Sequence, residues 1–362
     1  MSRRRVLLVA AGLGPGGMER LLVNHVRFGN RGEYDYSVGY IKADKDQLVP
    51  ELEELDCPVH LLSRQGVPWP VTLGSVVRSG RFDLVHTHSP LAASVVRVAS
   101  LSARRRPTLV YTEHNSWGPY SVPTRWANRL TYSLDHSTIA VSSAARESVV
   151  PRHRARVEVV DHGIDVEEVR SHLERRDEAR GRMGVGDGEV VVGIVANMRP
   201  EKNYPGIIEA AVEVVRAHPS TVFVSIGQGP RLEEIRSVHA ASGLGDRFRI
   251  LGHQPDAPSL MAGFDVFCLG SDWEGLPVAF MEARALGLPV VVTAVGGLVD
   301  HVDDGVDGFL VPPREPERLA AALQRVVGDS ELRASIADAS RRSATVFDAR
   351  SSVRRIESLY PD

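Results

Sequence analysis

The chain has 362 residues, 43% apolar and 25% charged, so it is too long for one ordinary hydrophobic core and has the composition of a globular protein with two moderate domains. Its 43 Lys plus Arg against 46 Asp plus Glu leave a net charge of −3, which excludes a global field drawing it to nucleic acid or to an anionic membrane and leaves only local patches. Cys57 and Cys268 are the only cysteines and lie far apart, so they read as small apolar side chains in a reducing compartment rather than as a disulfide or a metal pair.

The basic start, MSRRRVLLVAAGLGPGG, carries an apolar run from Val6 to Ala11 that is shorter than a signal-peptide core and breaks at Gly12. No stretch approaches the ~20 apolar residues of a membrane span. The expected location is the cytoplasm.

Short β-branched runs then alternate with helical stretches: RVLLVA (5–10), YSVGYI (36–41), DLVH (83–86), TLVYT (108–112) and STIAV (137–141). The βαβα order predicts a parallel sheet with helices on both faces. Between 166 and 189 the chain is dense in charge, ends in glycines and has no strand signal; it reads as a link, with a domain boundary near residue 170. A second series follows: EVVVGIVAN (189–197), TVFVSIG (221–227), RFRILG (247–252), DVFCLG (265–270), LPVVVTAV (288–295) and GFLVP (308–312). Each run is short, nearly all apolar and suited to a strand buried on both faces. The fold expected is α/β, two doubly wound Rossmann-like domains facing a central cleft, an N-terminal one over 1–170 and a C-terminal one over 171–362. Ligands of such sheets bind beyond the carboxyl ends of the strands. The closing helical stretch, Ser343 to Tyr360, can pack on either domain.

The stretch SDWEGLPVAFMEARALGLPVVVTAVGGLVD (271–300) carries the sharpest chemical signal. Pro277 suits the first turn of a helix running to a stop at Gly287, which puts Glu274 in the loop ahead of the helix and Glu282 in its second turn. Free N–H groups around Leu276, Pro277 and Val278 favour an anion such as a diphosphate. An anion seat between two hydrogen-bond acceptors matches a nucleoside diphosphate sugar, which has hydroxyls at both ends and phosphates in the middle.

These residues resemble the E-x7-E signature of retaining GT-B glycosyltransferases of family 4, with the G-x-P-V and G-G-x-x-D/E segments after it. The resemblance covers nearly the whole chain: Gly16-Gly17-Met18-Glu19, DLVHTHSP (83–90), YTEH (111–114), VSSA (141–144), HGID (162–165), RPEKN (199–203), IGQGP (226–230), LGHQPD (251–256) and Glu274 through Asp300. It implies transfer of a sugar from a nucleotide donor to a hydroxyl acceptor with retention, the second domain holding the nucleotide and the first most of the acceptor. Gly16 and Gly17 would let the backbone approach the donor diphosphate. Arg199 and Lys202 would counter its charge, Glu282 would accept from the ribose hydroxyls, and Glu274 would hold the transferred sugar. His114 would lie beside the anomeric carbon, with Gly227, Gly229 and His253 bordering the base. Uridine is the family's common base, and guanosine remains open. No metal or other cofactor is implied, because helix N-termini and side-chain cations stabilise the leaving diphosphate. Two positions depart from the family pattern. Asn197 stands where many members have the arginine, Arg199 being three residues before Lys202, and His162 stands where the family has the Asn of N-G-V-D and receives no role.

Other readings compete. A sugar-nucleotide epimerase on the same fold would convert donor without acceptor, and a non-enzymatic binder would neither hydrolyse nor transfer it. His86, His88 and His114 with Glu113 could suggest a metal, but their spacing matches no zinc pattern, and hydrogen-bonded loop histidines are the alternative. Asp44-Lys45-Asp46 resembles a metal-binding D-x-D, against a solvated turn. Arg104 to Arg106 and the segment Arg125 to Arg129, with Trp126 among its charges, could seat the protein weakly on the inner face of an anionic membrane, where a lipid-linked acceptor would lie; a solvated helix face is the other reading, and carbohydrate or small-molecule acceptors fit equally.

Overall fold

The computed structural model describes residues 3–118 and 120–361. The chain forms two compact units, one built from residues up to Gly163 and again from Ala349 onward, the other from Ile164–Asp348.

In the first unit seven parallel strands stand in the order β3-β2-β1-β4-β5-β6-β7. They are β1 (Arg4–Ala10), β2 (Tyr34–Tyr40), β3 (Val59–Leu61), β4 (Leu84–Thr87), β5 (Thr108–Glu113), β6 (Ser137–Ala140) and β7 (Val157–Val159). Side chains alternate across a strand, so Val6 and Leu8 enter one core with Val23 and Val38, while Leu7 and Val9 enter another with Leu73, Val85 and Val96. Because both faces are covered, β1 reads as an unbroken apolar run rather than as an alternation.

The second unit repeats the plan with six parallel strands in the order β10-β9-β8-β11-β12-β13. They are β8 (Val190–Val195), β9 (Thr221–Ile226), β10 (Phe248–Gly252), β11 (Val266–Leu269), β12 (Val290–Thr293) and β13 (Phe309–Val311). Ile194, Phe223, Val266 and Val291 pack with Ile207, Ala211, Leu319 and Leu323 of the covering helices. In each sheet the winding reverses beside the first strand, between β1 and β4 and between β8 and β11. Loops at the carboxyl ends diverge at such a reversal and leave room for a ligand.

Two features differ from the sequence reading, and a third settles what it left open. The division falls between Gly163 and Ile164 rather than near 170, and the charged segment after it is not a linker. Arg170 donates to the Ala285 carbonyl at 3.2 Å, while Arg176 and Arg180 reach Asp265 at 2.5 and 3.1 Å. Its charge density therefore reflects guanidinium anchors, which tie the helix Arg176–Met183 to β11. Strands β3 and β7 carry no sequence signal, being edge strands of three residues, VHL and VEV. The closing stretch is split: the turn Ala344–Phe347 belongs to the second unit, and the helix Ala349–Glu357 returns to the first. There Glu357 accepts hydrogen bonds from the Tyr36 hydroxyl and from the Asn30 N–H, the latter at 2.9 Å.

Cys57 and Cys268 are both buried and free. Among the described residues no helix is long and apolar enough to cross a membrane.

Candidate active site

In the second unit the chemistry-bearing residues collect on loops after β8, β9 and β11. The loop after β8 makes a short turn, Pro200–Lys202, and ends at Asn203, whose left-handed backbone (φ 47°) and side-chain oxygen cap the helix Tyr204–Ala217 through the Gly206 N–H. This places Lys202 one residue ahead of a capped helix start. Its ammonium donates to Glu274 Oε1 at 2.5 Å, and Ser271 Oγ donates to the same oxygen at 2.7 Å. The two side chains are only 16% and 9% exposed, so water screens the pair weakly. Asp272 N–H donates to the Glu201 carbonyl at 2.8 Å and joins the two loops directly.

The Gly-Gly pair after β12 holds the Glu274 loop from behind. Gly296 sits at φ 56°, and a Cβ there would lie 2.3 Å from the Glu274 carbonyl oxygen, so no larger residue fits without moving the loop. Gly297 N–H donates to the Gly275 carbonyl at 2.5 Å.

The helix after this loop spans Val278–Ala285, with Pro277 as its N-cap. The sequence reading put Pro277 inside the helix and the end at Gly287. Pro277 instead has an extended ψ of 131° and precedes the first turn, while the stop lies where the sequence puts it, Leu286 being the C-cap and the left-handed Gly287 (φ 69°) turning the chain away. The N–H groups of Val278 and Ala279 open the first turn and have no intrahelical carbonyl to meet. Leu276, just ahead of the helix, is buried, and Glu282 is half-buried in the second turn. Arg284, fully buried on the same helix, donates to the Asp307 carbonyl at 3.0 Å and to the Asp307 carboxylate and Ser343 hydroxyl. Burial works to raise the Asp307 carboxyl, but the hydrogen bonds from Arg284 and from the Asp303 N–H outweigh it and hold it below its usual range.

Gly227 and Gly229 have a packing reason of their own. Cβ atoms there would lie 2.0 Å from the Ala196 carbonyl oxygen and 2.4 Å from that of Met198, because the loop after β9 crosses directly over the loop after β8. His253 is exposed just past β10. Arg199 is exposed, with no ion-pair partner among the described residues. Lys202 and Glu274 thus meet at the winding reversal, with the Gly227 loop beside them.

In the first unit Gly16 caps the helix Gly17–Phe28 just after β1. His88, His114 and His162 follow β4, β5 and β7. His88 Nδ1 and His114 Nε2 stand 3.0 Å apart, and the His114 and His162 rings are 5.1 Å apart. Burial, reinforced by neighbouring histidines, pushes the pKa of His86, His88 and His114 well below the usual imidazole range. Burial takes His162 down to about 4 against small opposing contributions from Val160 and Asp161.

The structure redistributes the residues weighed as a metal group. His86 is taken by Tyr360 (Nδ1, 2.9 Å) and Thr112 (Nε2, 2.7 Å). Glu113 accepts from Tyr111, Trp117 and Tyr120 at 2.9, 2.7 and 2.5 Å, and burial raises it to about 7 despite those bonds. The histidine that does join His88 and His114 is His162, which the sequence reading left without a role. It follows β7, a strand too short and polar to be read. Asp44 and Asp46 are exposed in a surface turn.

Two parallel, doubly wound sheets with their polar groups gathered at the strand ends match the GT-B architecture of glycosyltransferases. The chain belongs to that family: residues 15–168 match Glycosyltransferase Family 4 and residues 175–343 match Glycosyl transferases group 1. It is 32% identical over 292 residues to the 2-deoxystreptamine N-acetyl-D-glucosaminyltransferase of Streptomyces fradiae, covering 75% of this chain and 67% of that one. It is 26% identical over 304 residues to the Escherichia coli UDP-Gal:alpha-D-GlcNAc-diphosphoundecaprenol alpha-1,3-galactosyltransferase, covering 81% and 78%. Its fold is similar to that of Anabaena HepE crystallised with UDP-glucose, at a TM-score of 0.86 and 25% identity over 98% and 99% of the two chains. The protein is a glycosyltransferase that uses a nucleotide-sugar donor.

Proposed function

We propose that the enzyme moves a sugar from a UDP-linked donor to a hydroxyl acceptor with retention at the anomeric carbon and without a divalent metal. The observation that carries this reading is the meeting of Lys202 with Glu274 at the winding reversal, next to the open amides of Val278 and Ala279 and the second-turn carboxylate of Glu282. The ammonium and the helix start take the diphosphate, with Arg199 free to add its charge, so no metal is needed to neutralise the leaving group. Glu282 takes the ribose hydroxyls, Gly227, Gly229 and His253 border the base, and Gly16 and Gly17 approach the diphosphate. Glu274 holds hydroxyls of the transferred sugar, and His114 lies beside its anomeric carbon.

Glu274 already accepts from both Lys202 and Ser271, and such a carboxylate is a hydrogen-bond partner rather than a poised nucleophile. Front-face attack assisted by the departing phosphate fits it better. HepE was crystallised with UDP-glucose, which favours uridine. The acceptor is a carbohydrate, a small molecule or a lipid-linked glycan, the last supported by the diphosphoundecaprenol substrate in the name of the Escherichia coli relative. On the helix Val122–Thr131, Val122, Trp126 and Leu130 recur every four residues and are 54%, 55% and 70% exposed, with Arg125 and Arg129 beside them. That face suits weak peripheral contact with the inner face of an anionic membrane.

The test is incubation with a panel of nucleotide sugars, with and without candidate acceptors, read by mass spectrometry and by NMR of the product's anomeric centre. Retained configuration in a transferred sugar supports the reading; inversion, or donor epimerised without acceptor, refutes it.

A further inference from the structure

We propose that His88, His114 and His162 form a binding site for a divalent transition-metal ion of the zinc class, and that loading it removes His114 from the transfer reaction. One ring nitrogen from each of the three side chains lies within 4.8 Å of the other two. Two imidazole nitrogens on a tetrahedral zinc stand about 3.4 Å apart, given Zn–N bonds of about 2.0–2.1 Å. The His88 and His114 nitrogens are already 3.0 Å apart, so closure needs mainly an approach by His162.

His162 Nδ1 is an orphan, buried without a hydrogen-bond partner on a side chain 5% exposed; His88 Nε2 is unpartnered too, but it is Nδ1 of that ring that faces His114. An unpaired buried polar atom is costly and calls for a ligand or a role. His114 is only half-buried, which leaves the group open on one side for a fourth ligand such as water. His86, pinned by Tyr360 and Thr112, lies with its ring centroid 4.3 Å from that of His88, tilted by 31°, and restricts its ring. A donor set of three nitrogens selects zinc, nickel, cobalt or copper over magnesium, calcium or manganese.

His162 is the departure that creates the set, because the family pattern resembled here places an asparagine at that position. The metal is not required by the proposed reaction; it competes with it. Binding stands on the three imidazoles alone, whereas the inhibition rests on the role proposed for His114.

The experiment titrates the full chain, freed of metal by chelation and dialysis, with Co2+ and follows visible absorption, then displaces the cobalt with Zn2+. One tetrahedral cobalt per chain, displaced by zinc, is expected. His162→Asn, which restores the family's residue and is checked by its melting curve, should weaken cobalt binding at least about tenfold, since losing even an outer partner of a metal ligand costs roughly 10–100-fold. His88→Ala should do the same. Absence of a cobalt spectrum, or equal affinity in either variant, overturns the site. In transfer assays zinc should inhibit the wild type, and His162→Asn, compared with its own metal-free rate, should need at least about tenfold more zinc. Cobalt and zinc bound with undiminished transfer overturns the inhibition and leaves the site standing.

Discussion

Replacing Lys202 by alanine separates a working ammonium from a surface lysine. The side chain is 16% exposed and gives one of its three N–H donors to Glu274 at 2.5 Å. Two donors are left for phosphate oxygens, so the diphosphate can bind without breaking the pair. One electrostatic contact to charge that develops in the transition state contributes ~3 kcal/mol, so Lys202→Ala should lower kcat/KM by about 10². The substitution also leaves the Glu274 carboxylate, 9% exposed, with Ser271 as its remaining donor. An under-satisfied buried acceptor costs about 1–3 kcal/mol, so the melting temperature should fall as well. Glu274→Ala provides the control. It unmasks the Lys202 charge, so affinity for the bare nucleoside diphosphate should hold or rise, by no more than about tenfold, ~1.4 kcal/mol, while transfer is lost. Initial rates against donor concentration, calorimetric titration with UDP and melting curves on both variants complete the set. A Lys202→Ala enzyme with wild-type kcat/KM would show that the ammonium only props the Glu274 loop.

Glu282→Ala should weaken UDP binding by roughly ten- to a hundredfold, because its hydrogen bonds to the ribose are charge-assisted and contribute about 1.5–3 kcal/mol; equal calorimetric affinity with a lowered melting temperature would make Glu282 a packing residue. EDTA should leave turnover intact or raise it, and activity lost to EDTA and regained with magnesium or manganese would reopen the Asp44 and Asp46 reading. Acid should destabilise the fold early: His25 and His162 are held by burial at about 3 and 4, below an unfolded value of about 6.5, so their contribution is whole above pH 6.5 and is lost as pH falls toward those values, by about 1.4 kcal/mol per unit for each. Glu113, raised to about 7, acts with the opposite sign and loses stability as pH rises through 7; Asp135 and Glu357, whose carboxyls burial also raises, act in the same direction, but these three stand against five buried histidines. Melting temperature should therefore drop by roughly 5 °C or more between pH 7 and 5, and a flat profile would show that these rings protonate without cost.

What the sequence conveyed depended on how local the signal was. β1, β8 and β12 are runs of apolar residues covered on both faces, and the order of such runs is enough to yield the doubly wound plan. Glu274 and Glu282 could be placed on a loop and a helix from the Gly-Leu-Pro break alone. The partnership of Lys202 with Glu274 could not, since the two are 72 residues apart and meet only because β8 and β11 are neighbours in the sheet. His162 was illegible for the same reason: its nearness to His114 depends on β7 closing the sheet, and three residues leave no periodicity to read. The charged stretch after Gly163 misled because anchoring arginines and solvated ones look alike until the acceptors of Arg170, Arg176 and Arg180 are known.

The return of the helix Ala349–Glu357 to the first unit orders events during synthesis. The second unit is continuous in the chain and needs no residue beyond Asp348, whereas the first needs residues from both sides of it. The first unit, although made earlier, leaves one face of its seven-stranded sheet partly uncovered until residues 349–360 arrive. Until then His86 lacks the Tyr360 hydroxyl and Tyr36 lacks the Glu357 carboxylate, each more than 270 residues away in sequence. The N-terminal half, although made first, is thus finished only after the whole second unit has been synthesised, and until then its partly covered core is what chaperones and proteases meet.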